Sequence, residues 1–130
     1  MQTTTMGRMM SGVVVAFLVF DGVLKLCKPA VVMEASAKLG LPQQITVPLG
    51  LILLASTVLY TVPRTAILGA ILLTGYLGGA VCTHLRIGDP LFSHVLFPTY
   101  LGALIWGGLW LRDPRVRALF TTPSVRQDML

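Results

Sequence analysis

The sequence predicts an all-α protein, an integral membrane four-helix bundle, and three observations carry that expectation. Of its 130 residues 55% are hydrophobic and only 12% are charged, where an ordinary soluble domain carries about 25% charged residues. The apolar residues fall in blocks, not in alternating or amphipathic patterns. The blocks at 9–26, 45–62, 65–85 and 92–111 are each roughly the ~20 residues that cross a bilayer. In hydrocarbon, uninterrupted runs of this kind satisfy their backbone only as helices. Four such spans take up most of the chain, so 1–130 reads as a single membrane domain with no room for a separate soluble one.

The first span ends in Phe20-Asp21-Gly22-Val23-Leu24-Lys25-Leu26 and is stopped by Pro29. Asp21 and Lys25 stand four apart and so share one face. Arg8 before an apolar run resembles the start of a secretion signal. No small-residue cleavage site follows it, so the run is expected to stay in the membrane. A short interfacial helix is expected over about 30–39, closed by Gly40 and a turn at Pro42. The second span stops at Pro63 and the third begins at once, which makes a tight antiparallel hairpin. Inside the third, Gly75 and Gly79 form a small-xxx-small pair suited to close helix contact. Pro98 is expected to kink the fourth span and free a carbonyl. Asp113-Pro114 ends that span, and 120–130 reads as a frayed tail.

The net charge is +5, but the basic residues are scattered over loops and ends. Without a basic stripe interleaved with aromatics, nucleic-acid binding is excluded. The cations serve better as topology signals. Four spans bring both termini to one side, with Arg8, Arg64, Arg112, Arg115, Arg117 and Arg126 there and Lys25, Lys28, Lys38 and Arg86 opposite. The excess predicts a multi-pass protein of the cell membrane with cytoplasmic termini, and Tyr60 and Trp110 in the inner aromatic belt. Cys27 and Cys82 fall on the other side. A disulfide, a thiol redox pair and two unrelated small hydrophobes all fit that placement.

The chemistry concentrates in Thr83-His84-Leu85-Arg86-Ile87-Gly88-Asp89-Pro90, followed by His94, between two apolar runs without charge. Counting ~1.5 Å per residue puts Asp21 about 18 Å up the first span, with Tyr76 near 15 Å and Tyr100 near 17 Å at the same level. An outward-opening polar cavity is expected, with Asp21 at its floor and Lys25, His84, Arg86, Asp89 and His94 above. An unpaired charge near the bilayer centre costs at least ~2.5–3.5 kcal/mol, which makes an intramembrane acid a functional candidate. The plainer alternative is a snorkelling Asp21–Lys25 pair. Asp21 is assigned as acid or base and His84 as proton relay. Lys25, Tyr76, Arg86, Asp89, His94 and Tyr100 are assigned as substrate-binding. Arg86 and Asp89 also fit a structural role, pairing to order the turn, with Asp89-Pro90 capping the last span. His84, His94 and Asp89 have the composition of a facial triad. The ten-residue separation of the histidines is too wide for a compact metal motif, and no metal is expected.

Phe20-Asp21-Gly22…Lys25-Leu26, Pro63-Arg64-Thr65-Ala66…Leu68-Gly69-Ala70 and Gly75-Tyr76-Leu77-Gly78-Gly79-Ala80 together resemble the DoxX-like family of small four-helix membrane proteins. So do Thr83-His84-Leu85-Arg86…Gly88-Asp89-Pro90…His94 and Trp106-Gly107-Gly108-Leu109-Trp110, so the resemblance runs from about Gly12 to Asp113. It implies the bundle and the polar positions Asp21, Lys25, His84, Arg86, Asp89 and His94. The family is named for a subunit of a thiosulfate:quinone oxidoreductase. This chain lacks a paired-cysteine redox motif, so thiosulfate chemistry is not carried over. Three functions remain in play. The first is a membrane oxidoreductase subunit or isomerase-type enzyme doing acid/base chemistry on a lipophilic substrate, a quinone or isoprenoid. The second is a non-catalytic membrane subunit or assembly factor packing through its glycine-rich faces. The third is a carrier of small solutes or protons, for which four short helices must oligomerise.

Overall fold

The computed structural model describes residues 2–121. They form α1 (Gln2–Cys27), α2 (Ala30–Lys38), α3 (Thr46–Thr61), α4 (Ala66–Arg86), α5 (Phe97–Arg112) and α6 (Pro114–Phe120). A 3₁₀ turn, Gln43–Ile45, precedes α3, and a π turn, Leu91–Val95, precedes α5. Four segments are long and apolar enough to cross a membrane: Gln2–Cys27, Gln43–Thr61, Ala66–Arg86 and Leu91–Arg112. α1 packs on α3 and α5, and α4 packs on the same two, so the spans form a ring. Contacts of Gly7 with Gly108, Gly22 with Gly50 and Thr74 with Trp106 show that neighbours run antiparallel.

Lipid tails are as apolar as leucine, so membrane helices associate through close packing and hydrogen bonds more than through hydrophobicity. Glycines supply the packing, although not the pair the spacing singles out. A Cβ on Gly7 would stand 2.7 Å from the Gly108 carbonyl oxygen, and one on Gly50 would stand 3.0 Å from that of Gly22. One on Gly69 would collide with the Tyr60 backbone, which is why α3 and α4 can turn so tightly. Around Gly75 and Gly79 a Cβ would meet nothing within 4 Å, so this pair makes no helix contact within the chain.

Tyr60 is not an interfacial belt residue. It is fully buried, and its hydroxyl donates to the Ile105 carbonyl at 2.8 Å. That uses its one proton, so Ser11 must be the donor in the 2.8 Å contact between the two hydroxyls. Arg112 completes the chain. Its Nε donates to Ser11 Oγ at 3.1 Å, its Nη2 to the Tyr60 carbonyl at 3.2 Å, and its guanidinium lies 5.0 Å from the Tyr60 ring centroid. Three helices are thereby tied at one end of the bundle.

Several expected boundaries move. α1 begins at Gln2 because Thr3 to Gly7 carry no stop signal and Gly7 docks on α5. The fourth span is broken into a π turn and a helix, with Pro98 in the first turn of α5, where its missing N–H costs nothing. The kink is therefore a fresh helix start. Asp113 ends α5 but also opens α6, its carboxylate accepting from the Arg115 N–H at 2.9 Å. The Arg115 guanidinium, hydrogen-bonded to the same carboxyl, holds it below the usual carboxylate range. Val116 of α6 is buried in the core. The expected frayed tail lies outside the described residues from 122 onward.

The clamp can be weighed directly. Tyr60→Phe removes the phenol donor from the Ile105 carbonyl and the acceptor for the Ser11 O–H in the core, a cost of about 1–3 kcal/mol, read as a lowered midpoint of thermal unfolding in detergent. Ser11→Ala should cost less in the Tyr60→Phe background than alone, since coupled groups are not additive. Full additivity would show that the two hydroxyls do not act together.

Candidate functional site

At the end opposite the clamp, the helices part around a cavity of about 560 Å³ walled by α1, α4, α5 and the start of α3. α2 covers it. Val32, Ala35, Ser36 and Leu39 line the cavity, and their 0, 3, 4, 7 spacing is one face of a helix. The open Cβ positions of Gly75 and Gly79 lie on the α4 wall, so the glycines that pack against no helix leave room for the cavity instead. Phe17 and Phe97 meet edge to face at 5.4 Å on the wall between α1 and α5.

Two hydrogen-bonded acid–base pairs stand here. On α1, Lys25 Nζ donates to Asp21 Oδ2 at 2.5 Å, with both residues lining the cavity. The lysine side chain is 19% exposed and the carboxyl 37%. On α4, His84 lines the cavity and its Nδ1 lies 2.6 Å from Asp89 Oδ2. The backbone delivers this second pair. α4 ends with Gly88 at φ +75, which lets the N–H of Gly88 reach the Leu85 carbonyl and that of Asp89 the His84 carbonyl. This is the Schellman ending, which sets the residue after the glycine against the third from the helix end. A hydrophobic contact usually fills that position; here Asp89 and His84 do. With the Asp89 carboxylate as acceptor, the imidazole donates from Nδ1, and this bond fixes the orientation of the ring.

α2 ends the same way. Gly40 has φ +74, with Gly40 N–H to Ala37 and Leu41 N–H to Ser36. Arg86 Nη2 donates to the Leu39 carbonyl at 2.5 Å in this turn. The guanidinium is thus a tether between α4 and the cover helix; it neither pairs with Asp89 nor lines the cavity.

The cavity gathers Asp21, Lys25, Tyr76 and His84 of the residues singled out from sequence. Asp89 stands behind His84. His94 is exposed, its Nδ1 2.8 Å from Ser93 Oγ and its ring centroid 6.1 Å from that of His84. Tyr100 does not join Tyr76 on the cavity wall. It is 46% exposed and its hydroxyl donates to the Phe92 carbonyl in the π turn, outside the cavity. Asp89 makes no cap for the last span, since its carboxylate is taken by His84 and Pro90 starts the π turn without a side-chain cap. Cys27 and Cys82 are both free and exposed. Among the described residues no three His, Cys, Asp or Glu side chains come together as a metal site. The sequence reading missed Thr46 and Ser36, gave Thr83 of the polar island no role, and missed α2 as a cover, although its 32, 35, 36, 39 stripe was there to be read.

The sequence profile of the DoxX-like family matches residues 9–108. The match includes every residue on the cavity wall and stops short of Arg112. No curated protein and no solved structure gives a significant match to the chain.

α2 has no fully buried residue, so its position rests on few contacts. Arg86→Ala should raise amide hydrogen exchange in Ala30–Lys38 by roughly three- to tenfold, the worth of one hydrogen bond, and leave α3 and α4 unchanged. Exchange in α2 at the wild-type rate would show that the tether does not hold the cover.

Proposed function

The chain belongs to the DoxX-like family and has four candidate membrane spans. From that premise we propose that this multi-pass membrane protein binds a lipophilic molecule, of quinone or isoprenoid type, and performs acid/base chemistry on it. It acts either as an isomerase-type enzyme or as the membrane subunit of an oxidoreductase, whose electron donor is then a partner subunit. The supporting observation is an apolar-walled cavity with Asp21–Lys25 and the Asp89-bound His84 on its wall. In this reading Asp21 takes or gives the proton at the bound molecule, and Lys25 and Tyr76 steady its oxygen. His84 relays protons between the cavity and exposed His94, while Asp89 holds the imidazole. Arg86 serves the site indirectly by keeping α2 over it, and Tyr100 by ordering the π turn.

The arginine excess supports cytoplasmic termini in the cell membrane, with the cavity opening outward. A second reading, a non-catalytic membrane subunit or homo-oligomer, draws on Gly78. That residue is exposed, a Cβ on it would meet nothing within 4 Å, and it lies off the cavity wall. A carrier would need the same oligomeric face.

Asp21→Asn separates catalyst from scaffold. Lys25 loses its partner, at a cost between the ~1 kcal/mol of an exposed pair and the ~3–5 kcal/mol of a fully buried one; partial exposure puts it nearer the first. A folded variant with turnover of a short-chain quinone or isoprenoid lowered by about two to four orders of magnitude is expected, with a smaller loss for His84→Ala. Normal turnover would remove Asp21 from the mechanism and favour the partner-subunit reading.

Orientation has its own test. On a background with Cys27 and Cys82 replaced by serine, a cysteine at Gln43 should react with an impermeant maleimide added outside cells, and one at Ser124 should not. Labelling at Ser124 from outside would reverse the topology.

A further inference from the structure

Thr46, the first residue of α3, lines the cavity and is 3% exposed. Its Oγ1 is the one buried side-chain polar atom without a hydrogen-bond partner among the described residues. The other buried hydroxyls are all met: Ser56 and Thr57 donate to the Ile52 and Leu53 carbonyls of their own helix, and Ser11 pairs with Tyr60 and Arg112. Thr46 has no α-helical turn behind it: three residues back, Gln43 lies in the 3₁₀ turn and its carbonyl accepts the Thr46 N–H. Four residues back stands Pro42, in extended conformation, and its carbonyl already accepts from the Ile45 N–H. A buried hydroxyl left this way is destabilising, so its presence on a cavity wall points to a bound partner.

The surroundings say what kind. Gly50, one turn further on the same face of α3, lies against the Lys25 Cβ. Thr46 therefore belongs to the α1 side of the cavity, on the wall it shares with Lys25. Lys25 uses one of its three ammonium protons on Asp21, and the two charges cancel. The corner offers hydrogen-bond donors without net charge, and Leu18, Leu41, Ile45 and Leu49 line the cavity beside it.

We propose that Thr46 is the specificity-determining anchor of this cavity, donating its hydroxyl proton to a carbonyl or hydroxyl oxygen on an uncharged lipophile. This assignment rests on the lipophile-binding reading above and adds to it the atom that selects the ligand and the neutrality of the head group. An anionic head is disfavoured because the lysine charge is already met by Asp21.

The test uses the full-length protein in phosphatidylcholine nanodiscs, with binding of 2-dodecanone, 1-dodecanol, dodecane and dodecanoate measured by native mass spectrometry. The wild type should bind the ketone and the alcohol about tenfold more tightly than the alkane or the carboxylate. Thr46→Val should weaken the ketone and the alcohol by roughly three- to tenfold, the worth of one neutral hydrogen bond, and leave dodecane unchanged. Thr46→Ser should restore both. The ligand-free Thr46→Val protein should melt no lower than the wild type, since no internal partner is lost. Unchanged ketone affinity in Thr46→Val, or a lowered melting point without ligand, overturns the anchor while leaving lipophile binding intact. Tighter binding of dodecanoate than of the ketone overturns the neutral head group. Failure of all four chains to bind the wild type overturns this assignment together with the reading it rests on.

Discussion

The arrangement of the bundle depends on how Tyr60 is satisfied. A phenol buried among apolar helices must find a partner for its hydroxyl, and this one finds Ile105 on α5 and Ser11 on α1, with Arg112 closing the chain from above. Each bond joins a different pair of helices, so the clamp sets the rotation of α1, α3 and α5 together. Close approach at Gly7 and Gly108 makes it possible, because larger side chains there would hold α1 and α5 too far apart for Ser11 to reach. With one end fixed this way, the opposite end can stay open around a cavity without the bundle losing its register.

The open end is organised by how helices stop. Both α2 and α4 finish in a left-handed glycine, and each ending has a second consequence. At α4 it brings Asp89 onto His84. At α2 it exposes the Leu39 carbonyl, which Arg86 takes. Two short backbone motifs thus position an imidazole and anchor a cover helix that buries little surface of its own.

The electrostatics follow from the low dielectric of the bilayer. Lone charges there are costly, and the cavity holds its ionisable groups as hydrogen-bonded pairs, Asp21 with Lys25 and His84 with Asp89. Pairing leaves a wall that is polar in its hydrogen bonding yet nearly neutral in charge, which suits a molecule that partitions into lipid. The exposed His94 ring stands beside this wall, its centroid 6.1 Å from that of His84.

Local patterning determined the four spans, the membrane as their setting, and the family, but not the early start of α1, the break before α5 or the presence of α6. Runs of ~20 apolar residues bounded by proline and glycine admit no other backbone solution in hydrocarbon. The Asp21–Lys25 pair was equally legible, because four residues along a helix is one turn. The rotation of each helix about its axis was not, since four nearly all-apolar helices carry little periodicity to say which face turns inward. That rotation is a tertiary decision, made by glycine contacts and by hydrogen bonds between residues far apart in the chain. It buried Tyr60 and turned Tyr100 outward, it aimed Gly75 and Gly79 at a cavity instead of a helix, and it diverted Arg86 from Asp89 to the Leu39 carbonyl. It also set Thr46 on the cavity wall with its hydroxyl unmet, which a threonine at the edge of an apolar run does not announce.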